Sequence, residues 1–341
     1  MILAVESVVI ILPLPFFIGA YLVITFQNEL GITQPPIKSF DTNGIPIEKH
    51  YINGEYSDWK YNPLSIAIYG KYLIDEYNIG NISTINLIFN IANWFVKNAK
   101  TSLDYYFWTY DFQWKIYNLP EGWILGLAQG KIMIFLQEAF QISHNSTYED
   151  LAYKAFLSFK YSTTEGGVTY NLLEGGKWFE EYVSDSIKPY VLNGHMGAVT
   201  FLYYYYNYTN HSLAKDLFEQ GLIGLKNRIH SFDNGGWTRY DLVGNLASKT
   251  YHHRHVTLCS ELYNITNDVF FENYYFKWKA YEESDFNWFH RYKENPLLIS
   301  YLITTGIFLA IDVGLITSQQ LIKKKISLNN HEKNELEQLN K

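Results

Sequence analysis

Cysteine is all but missing: Cys259 stands alone in 341 residues. That rules out an intramolecular disulfide, and its apolar helical context marks it as a packing group. Positive charge is also scarce. With 27 Lys and Arg against 34 Asp and Glu, the chain carries a formal net charge of −7, and no basic stripe recurs along it. Phosphate backbones need clustered Lys and Arg, so nucleic acid is excluded as a partner. An anionic ligand would have to be met by local rather than global positive charge. Absent too are a G-x-S-x-G elbow, a glycine-rich phosphate loop and a Cys–His metal spacing.

Apolar and aromatic residues are plentiful. A hydrophobic content of 48% is enough for a sizeable core, and the length admits one large domain or two small ones. Aromatics reach 18%, with 30 Tyr and 9 Trp. Flat rings either fill a core or offer platforms for the apolar faces of sugars, and composition leaves both open.

Two hydrophobic runs frame the chain. Residues 7–26 contain no charge and are long enough to cross a hydrocarbon layer of roughly 30 Å. A cleaved signal peptide competes with this reading. Glu6 stands where a basic n-region belongs and no small-x-small site follows, which favours an uncleaved anchor. Residues 297–316 carry only Asp312 and are followed by Lys323, Lys324 and Lys325, the mark of a cytoplasmic side. If both runs span, residues 27–296 lie outside the cytoplasm. Sequons at Asn81, Asn145, Asn207, Asn210 and Asn264 fit an exported domain, although a chain this rich in Asn gives roughly three by chance.

Between the runs, Pro35-Pro36 reads as a linker signal just beyond an N-terminal anchor-and-linker segment of residues 1–33. Turn dipeptides Asn43-Gly44 and Asn53-Gly54 predict small β-hairpins over 34–61. From Asn62-Pro63 the spacing turns helical, and helical segments recur at 84–98, 122–142, 147–160, 189–206, 212–228, around 257–263 and at 269–281. Repeated helices joined by short loops predict a mainly α domain over 62–290, an (α/α) toroid of helical hairpins with small β-hairpins, flanked by two transmembrane helices at 7–26 and 297–316. Residues 317–341 read as a cytoplasmic tail. Gly175-Gly176 predicts a two-residue turn between strands 168–174 and 177–183, and Asn234-Gly235-Gly236 a second hairpin over 232–242.

Chemistry-bearing residues gather in a few stretches. In a regular strand Trp178, Glu180 and Tyr182 share one face while Phe179, Glu181 and Val183 share the other. Adjacent glutamates alone suggest a solvated edge, and Tyr240 and Tyr251 alone suggest buried hydroxyls with partners. His252, His253, Arg254 and His255 form the densest cationic knot, suited to a carboxylate. His252 and His255 would share a helix face, but without a marked carboxylate nearby no metal site is predicted.

Taken together these stretches resemble the C-terminal domain of the glucuronyl C5-epimerases, which invert uronic acid units within a polysaccharide. The resemblance rests on five ordered motifs: Asn62 to Gly70 (N-P-x-x-I-A-x-Y-G), Trp123 to Gly130 (W-x-x-x-x-A-Q-G), Glu180-Glu181-Tyr182 followed by Val191-Leu192-Asn193-Gly194, Tyr240-Asp241-Leu242, and Tyr251-His252-His253-Arg254-His255. It implies Glu181 and Tyr251 as the catalytic pair with Tyr182 and Tyr240 in the cleft. For substrate contacts it implies Glu180, Asn193, Trp123, Gln129, Arg239, His252, Arg254 and His255. It implies no metal or organic cofactor, a uronic-acid polysaccharide as partner and a homodimer, while the membrane setting rests on the two hydrophobic runs. One departure stands out: the family commonly has Arg directly after Y-D-L, thought to hold the substrate carboxylate, and Val243 stands there, which leaves Arg239 or Arg254 to substitute for it.

The implied chemistry is removal of the weakly acidic hydrogen beside a carboxylate by one base and return of a proton to the other ring face. Burial should raise the glutamate pKa, and nearby positive charge should lower that of the tyrosine. Glu181 rather than Glu180 is expected as the base, which requires a break in strand parity before Tyr182. A uronate lyase shares the first step, and a glycan-binding protein without turnover is the rival from outside enzymology.

Overall fold

The computed structural model describes residues 37–52, 55–184, 187–284, 317–318 and 320–321. Both runs expected to span a membrane, 7–26 and 297–316, and the Asn53-Gly54 turn lie outside the described residues. Among the described residues no helix is long and apolar enough to cross a membrane. The chain divides into two units, Leu30–Arg291 and the two ends, and residues 37–284 all fall within the first.

The N-terminal β region is as expected in kind. Strands β1 (Ile37–Phe40), β2 (Pro46–Lys49) and β5 (Lys60–Tyr61) form an antiparallel sheet in the order β1-β2-β5, with β3 (Tyr51–Ile52) and β4 (Glu55–Tyr56) paired between β2 and β5. Gly44 takes φ 78° in the first turn, where the Asp41 carboxylate accepts from the Asn43 and Ile45 N–H groups at 2.8 Å each. Buried Glu48 joins this sheet to the helices, accepting from Ser65 Oγ at 2.6 Å and Asn62 Nδ2 at 3.0 Å.

Eight helices follow within residues 63–283: α1 (Pro63–Asn78), α2 (Ile85–Asn98), α3 (Gly126–Ser143), α4 (Ser146–Leu157), α5 (Leu192–Thr209), α6 (Ser212–Arg228), α7 (Lys249–Thr266) and α8 (Val269–Glu283). They pack as four hairpins, α1–α2, α3–α4, α5–α6 and α7–α8, and the first helix of each packs on the next in the succession α1, α3, α5, α7. α1 begins where Asn62 caps the Leu64 and Ser65 N–H groups and Pro63 fills the first turn, whose N–H would have no helical partner. α5 lies inside the row, so residues Leu192 to Leu202 are buried on every face and it shows no polar stripe.

Three of the four hairpins reverse through the same turn. α3, α5 and α7 end at a left-handed residue, His144, Asn210 and Asn267, at φ 53–55°. The next residue, Asn145, His211 or Asp268, caps the following helix through its own side chain. The last hydroxyl of the first helix, on Ser143, Thr209 or Thr266, donates to the carbonyl four residues back and accepts the N–H of that cap. Four of the five sequons, at Asn145, Asn207, Asn210 and Asn264, fall on these turns. In each of them one of the two defining residues, Asn145, Thr209, Asn210 or Thr266, is one that the turn uses.

The connections at the other helix ends are longer and carry β structure. Between α2 and α3 lie β6 (Lys100–Ser102) with β7 (Tyr105–Phe107), and β8 (Thr109–Tyr110) with β9 (Trp123–Ile124), two hairpins not foreseen in the sequence. Between α4 and α5, β10 (Thr169–Asn171) pairs with β11 (Lys177–Phe179). Its turn spans residues 172–176 rather than the two glycines alone, because the Leu172 N–H bonds the Gly176 carbonyl inside it. The expected hairpin over 232–242 is a loop, held by the isolated bridges Asp233–Thr238 and Arg239–Leu246.

Candidate active site

The segment after β11 leaves its hairpin partner. Glu180 N–H still donates to the Val168 carbonyl at 2.8 Å, but Gly126 N–H, at the start of α3, donates to the Glu181 carbonyl at 2.7 Å and Tyr182 bridges to Leu125. The chain bends at Glu181 as it changes neighbours. Gly126 permits this approach, since a Cβ there would sit 2.1 Å from the Glu180 carbonyl oxygen. Regular alternation therefore ends here, and Glu181 and Tyr182 reach the same compartment.

In that compartment the buried Glu181 carboxylate accepts from Asn193 Nδ2 at 3.2 Å. Asn193 lies in the first turn of α5, and Gly194 beside it leaves room for the acid: a Cβ there would meet Glu181 Oε2 at 2.3 Å. Burial pushes the Glu181 carboxyl up to about 8, against the lowering effect of the Asn193 bond. Around it stand tyrosines. The Tyr182 and Tyr240 hydroxyls are 3.4 Å apart, and the Tyr240 and Tyr251 rings lie 4.6 Å apart between centroids. Tyr251 sits in the first turn of α7, which Ser248 caps, and is partly open to solvent. The expected lowering of the tyrosine pKa is not found: Tyr182, Tyr240 and Tyr251 are all raised, by burial first and the Glu181 charge next.

Glu180 is not part of this group. Its carboxylate turns the other way, accepts the Tyr190 N–H at 3.3 Å, and leaves Oε1 buried without a partner among the described residues. Burial pushes it too up to about 8. Tyr190 itself holds φ 53°, an unusual conformation for a side chain of its size.

Asp241, which the motif carried without a role, organises the loop that presents Tyr240. One of its oxygens accepts from the N–H groups of Val243, Gly244 and Asn245, and the other from Tyr117 Oη at 2.6 Å and Asn245 Nδ2 at 2.6 Å. Val243 therefore lies exposed at the tip of this loop, and offers no charge where the family commonly has Arg. Tyr117 also packs 4.7 Å from Tyr182, so one residue braces two walls of the site.

Several expected substrate contacts are structural instead. His252 and His255 are fully buried and converge on Thr238 Oγ1 at 2.8 and 2.9 Å. His252 Nε2 gives its hydrogen to the Trp278 carbonyl at 3.1 Å, so its Nδ1 accepts from Thr238, and His255 Nδ1 must then donate to the same oxygen. Burial lowers His255 to about 3, so it stays neutral and cannot meet a carboxylate as a cation. Gln129 is fully buried and donates to the Trp108 carbonyl at 3.3 Å. Trp123 stacks on Tyr110 at 4.0 Å and reaches Tyr182 at 5.8 Å, as backing for the wall more than as a surface. Arg239 bridges to Leu246 through its backbone in the loop before Tyr240. Arg254 is exposed on α7, one turn beyond Tyr251.

A family profile described as D-glucuronyl C5-epimerase C-terminus matches residues 101–280. An uncharacterized protein of Methanocaldococcus jannaschii is 32% identical over 297 residues, covering 77% of this chain and 96% of that one. The D-glucuronyl C5-epimerase of Caenorhabditis elegans is 29% identical over 213 residues, covering 56% of this chain and 34% of its own length, so the match spans about a third of that enzyme. Among solved structures, a D-mannose isomerase superposes with a TM-score of 0.50 at 12% identity, covering 71% of this chain and 63% of that one, a likeness of fold alone.

Proposed function

Because the chain belongs to the family of D-glucuronyl C5-epimerase C-terminal domains, and so to the carbohydrate isomerases and epimerases, we propose that it inverts carbon five of uronate units in a polysaccharide or glycan. The observation that carries this reading is the buried Glu181 carboxyl, held by Asn193 and raised to about 8, beside the hydroxyls of Tyr182, Tyr240 and Tyr251. A carboxyl near 8 is a much stronger base than an ordinary glutamate. Glu181 takes the hydrogen from carbon five, the electron pair moves into the adjoining carboxylate, and Tyr251 returns a proton from the opposite face. Burial keeps the tyrosine hydroxyls protonated, the form an acid must have. Tyr182 and Tyr240 donate toward the oxygens on which charge develops.

The four hairpins, with their first helices in succession, support an (α/α) toroid around this site. Attachment through residues 7–26 and 297–316, with the domain outside the cytoplasm, belongs to the same proposal. Labelling with an impermeant thiol reagent of cysteines placed near Glu55 and near Asn330 tests it, since only the first should react in intact cells.

The activity itself is tested by incubating uronate polymers in heavy water and measuring deuterium at carbon five by mass spectrometry. Deuterium should enter both epimers, and Tyr251→Phe should slow entry by roughly 100-fold or more, the scale for loss of a general acid or base. No uptake across a panel of uronate polymers overturns the reading. New ultraviolet absorbance with chain cleavage would mean elimination instead.

A further inference from the structure

The outward face of α2 carries more than a solvated helix needs. Asn90, Asn93, Trp94, Lys97 and Asn98 follow the i, i+3, i+4, i+7, i+8 spacing of one stripe, opposite the buried stripe of Ile88, Ile91, Ala92 and Phe95. The four polar members are exposed. Trp94 between them is half-buried, and its indole N–H has no hydrogen-bond partner among the described residues.

The N-terminal β region turns this face into a pocket. Asp41, Asn43 and Ile45 around the β1–β2 turn and Tyr61 of β5 stand against the stripe and leave an open space of about 330 Å³. That is the small end of the range for ligand sites, room for a sugar unit or two. The Tyr61 ring is 39% exposed and lies 5.3 Å from the Trp94 ring at 44°, so two aromatic walls meet at an angle.

The polar groups are held in place with bonding capacity to spare. Tyr61 Oη donates to Asp41 Oδ2 at 3.0 Å, which fixes the ring. Asn90 Nδ2 donates to the Asn43 carbonyl at 3.1 Å and Asn98 Nδ2 to the Trp94 carbonyl at 2.8 Å, so each keeps its amide oxygen. Asn93 is tied the other way, its Oδ1 accepting from Tyr148 Oη at 2.9 Å, and keeps its amide hydrogens. Lys97 adds further donors at the rim. Donors and acceptors beside two aromatic faces suit the hydroxyls and the apolar face of a pyranose, and groups already held lose little freedom on binding.

We propose that this pocket is a second, non-catalytic glycan site, which holds a pyranose unit of a carbohydrate chain against Tyr61 and Trp94. None of its residues belongs to the group around Glu181, and all precede residues 101–280, the stretch that the family profile matches. The choice of a sugar as ligand rests on the carbohydrate chemistry of that family, while the site itself does not depend on turnover.

The test is titration of a glucuronate-containing hexasaccharide into the isotope-labelled full chain, followed through the indole N–H signals by nuclear magnetic resonance. The Trp94 signal is assigned by its loss in Trp94→Phe. It should move saturably, and Tyr61→Ala should weaken the Kd read from it by roughly tenfold, the scale of a lost aromatic contact. Asn98→Ala, on the exposed rim, should weaken it by about fivefold, the scale of one hydrogen bond, and keeps the test decisive should Tyr61→Ala not fold. A Trp94 signal that stays in place, or that moves with an unchanged Kd in these variants, overturns the proposal. Deuterium exchange at carbon five with a stationary Trp94 signal removes this site and leaves the epimerase reading. Saturable movement in a chain that exchanges no hydrogen supports this site and removes that reading.

Discussion

Glu180 and Glu181 are adjacent in the chain and belong to different compartments: one carboxylate accepts the Tyr190 N–H at 3.3 Å, the other the Asn193 amide at 3.2 Å. The division follows from the change of hydrogen-bonding neighbour between them, from Val168 of the β10–β11 hairpin to Gly126 of α3. Both acids are pushed up to about 8 by burial, yet only Glu181 lies with the tyrosines. Each therefore has its own measurable signature.

For Glu181 the signature is the pH dependence of exchange. A base must be deprotonated, so the rate should climb as pH rises toward about 8 and level off above it. Asn193→Ala removes the bond that favours the charged form and should move the rise to higher pH. A wild-type rate already flat from pH 6 would exclude this carboxyl as the base.

Glu180 should instead register in stability. The folded state keeps a proton up to about pH 8 that the unfolded chain releases near its ordinary value of 4.5. Stability is then lost as pH rises through that window, because the unfolded chain is the one that ionises first. Glu180→Gln should raise the melting temperature clearly at pH 9 and little at pH 4. Equal shifts at the two pH values would refute the assignment.

Gly194→Ala tests how tightly the site is built. The added carbon would meet Glu181 Oε2 at 2.3 Å and Glu181 Cβ at 2.4 Å, so the acid must move. We expect exchange to fall by roughly 100-fold or more while the helical circular dichroism is kept, since a misplaced base costs on that scale. Near-normal exchange would show that Glu181 does not work from the position described.

Thr238→Val should weaken the fold rather than the chemistry directly. It removes the hydroxyl shared by His252 and His255 and with it two buried hydrogen bonds, a loss of about 2–4 kcal/mol in urea unfolding. A loss under about 0.5 kcal/mol would show that this hydroxyl does not clamp the histidines.

α7 shows what the sequence could reveal and where it misled. His252 and His255 read as a cationic knot, but with Val256, Cys259 and Leu262 they follow the i, i+3, i+4, i+7 spacing of a core stripe, and all five are buried. Tyr251 and Arg254 lie off that stripe and are exposed. Periodicity thus held the answer for the histidines, while residue type pointed the other way. The β6–β7 hairpin offered less to read: its turn puts Leu103 at φ 49° with no glycine or asparagine to announce it. The helices were legible from Asn62-Pro63 and their apolar spacing. The compartments of Glu180 and Glu181 were not, because a long-range contact with Gly126 decides them.

The repeated turn has a consequence for how such a protein can change. Three reversals built from one hydroxyl, one left-handed residue and one cap fix the length and pitch of each hairpin at one end of the helices. Residues 99–125, 158–191 and 229–248 connect the other ends, are free of that constraint, and carry Tyr182, Tyr240 and the acid pair. Insertions and exchanges at the exposed positions there, such as Val243, can remodel the mouth of the site and leave the three reversals untouched. Thr238 is the exception within these connections, because it ties its loop to α7, and a search for new substrates would do well to keep it.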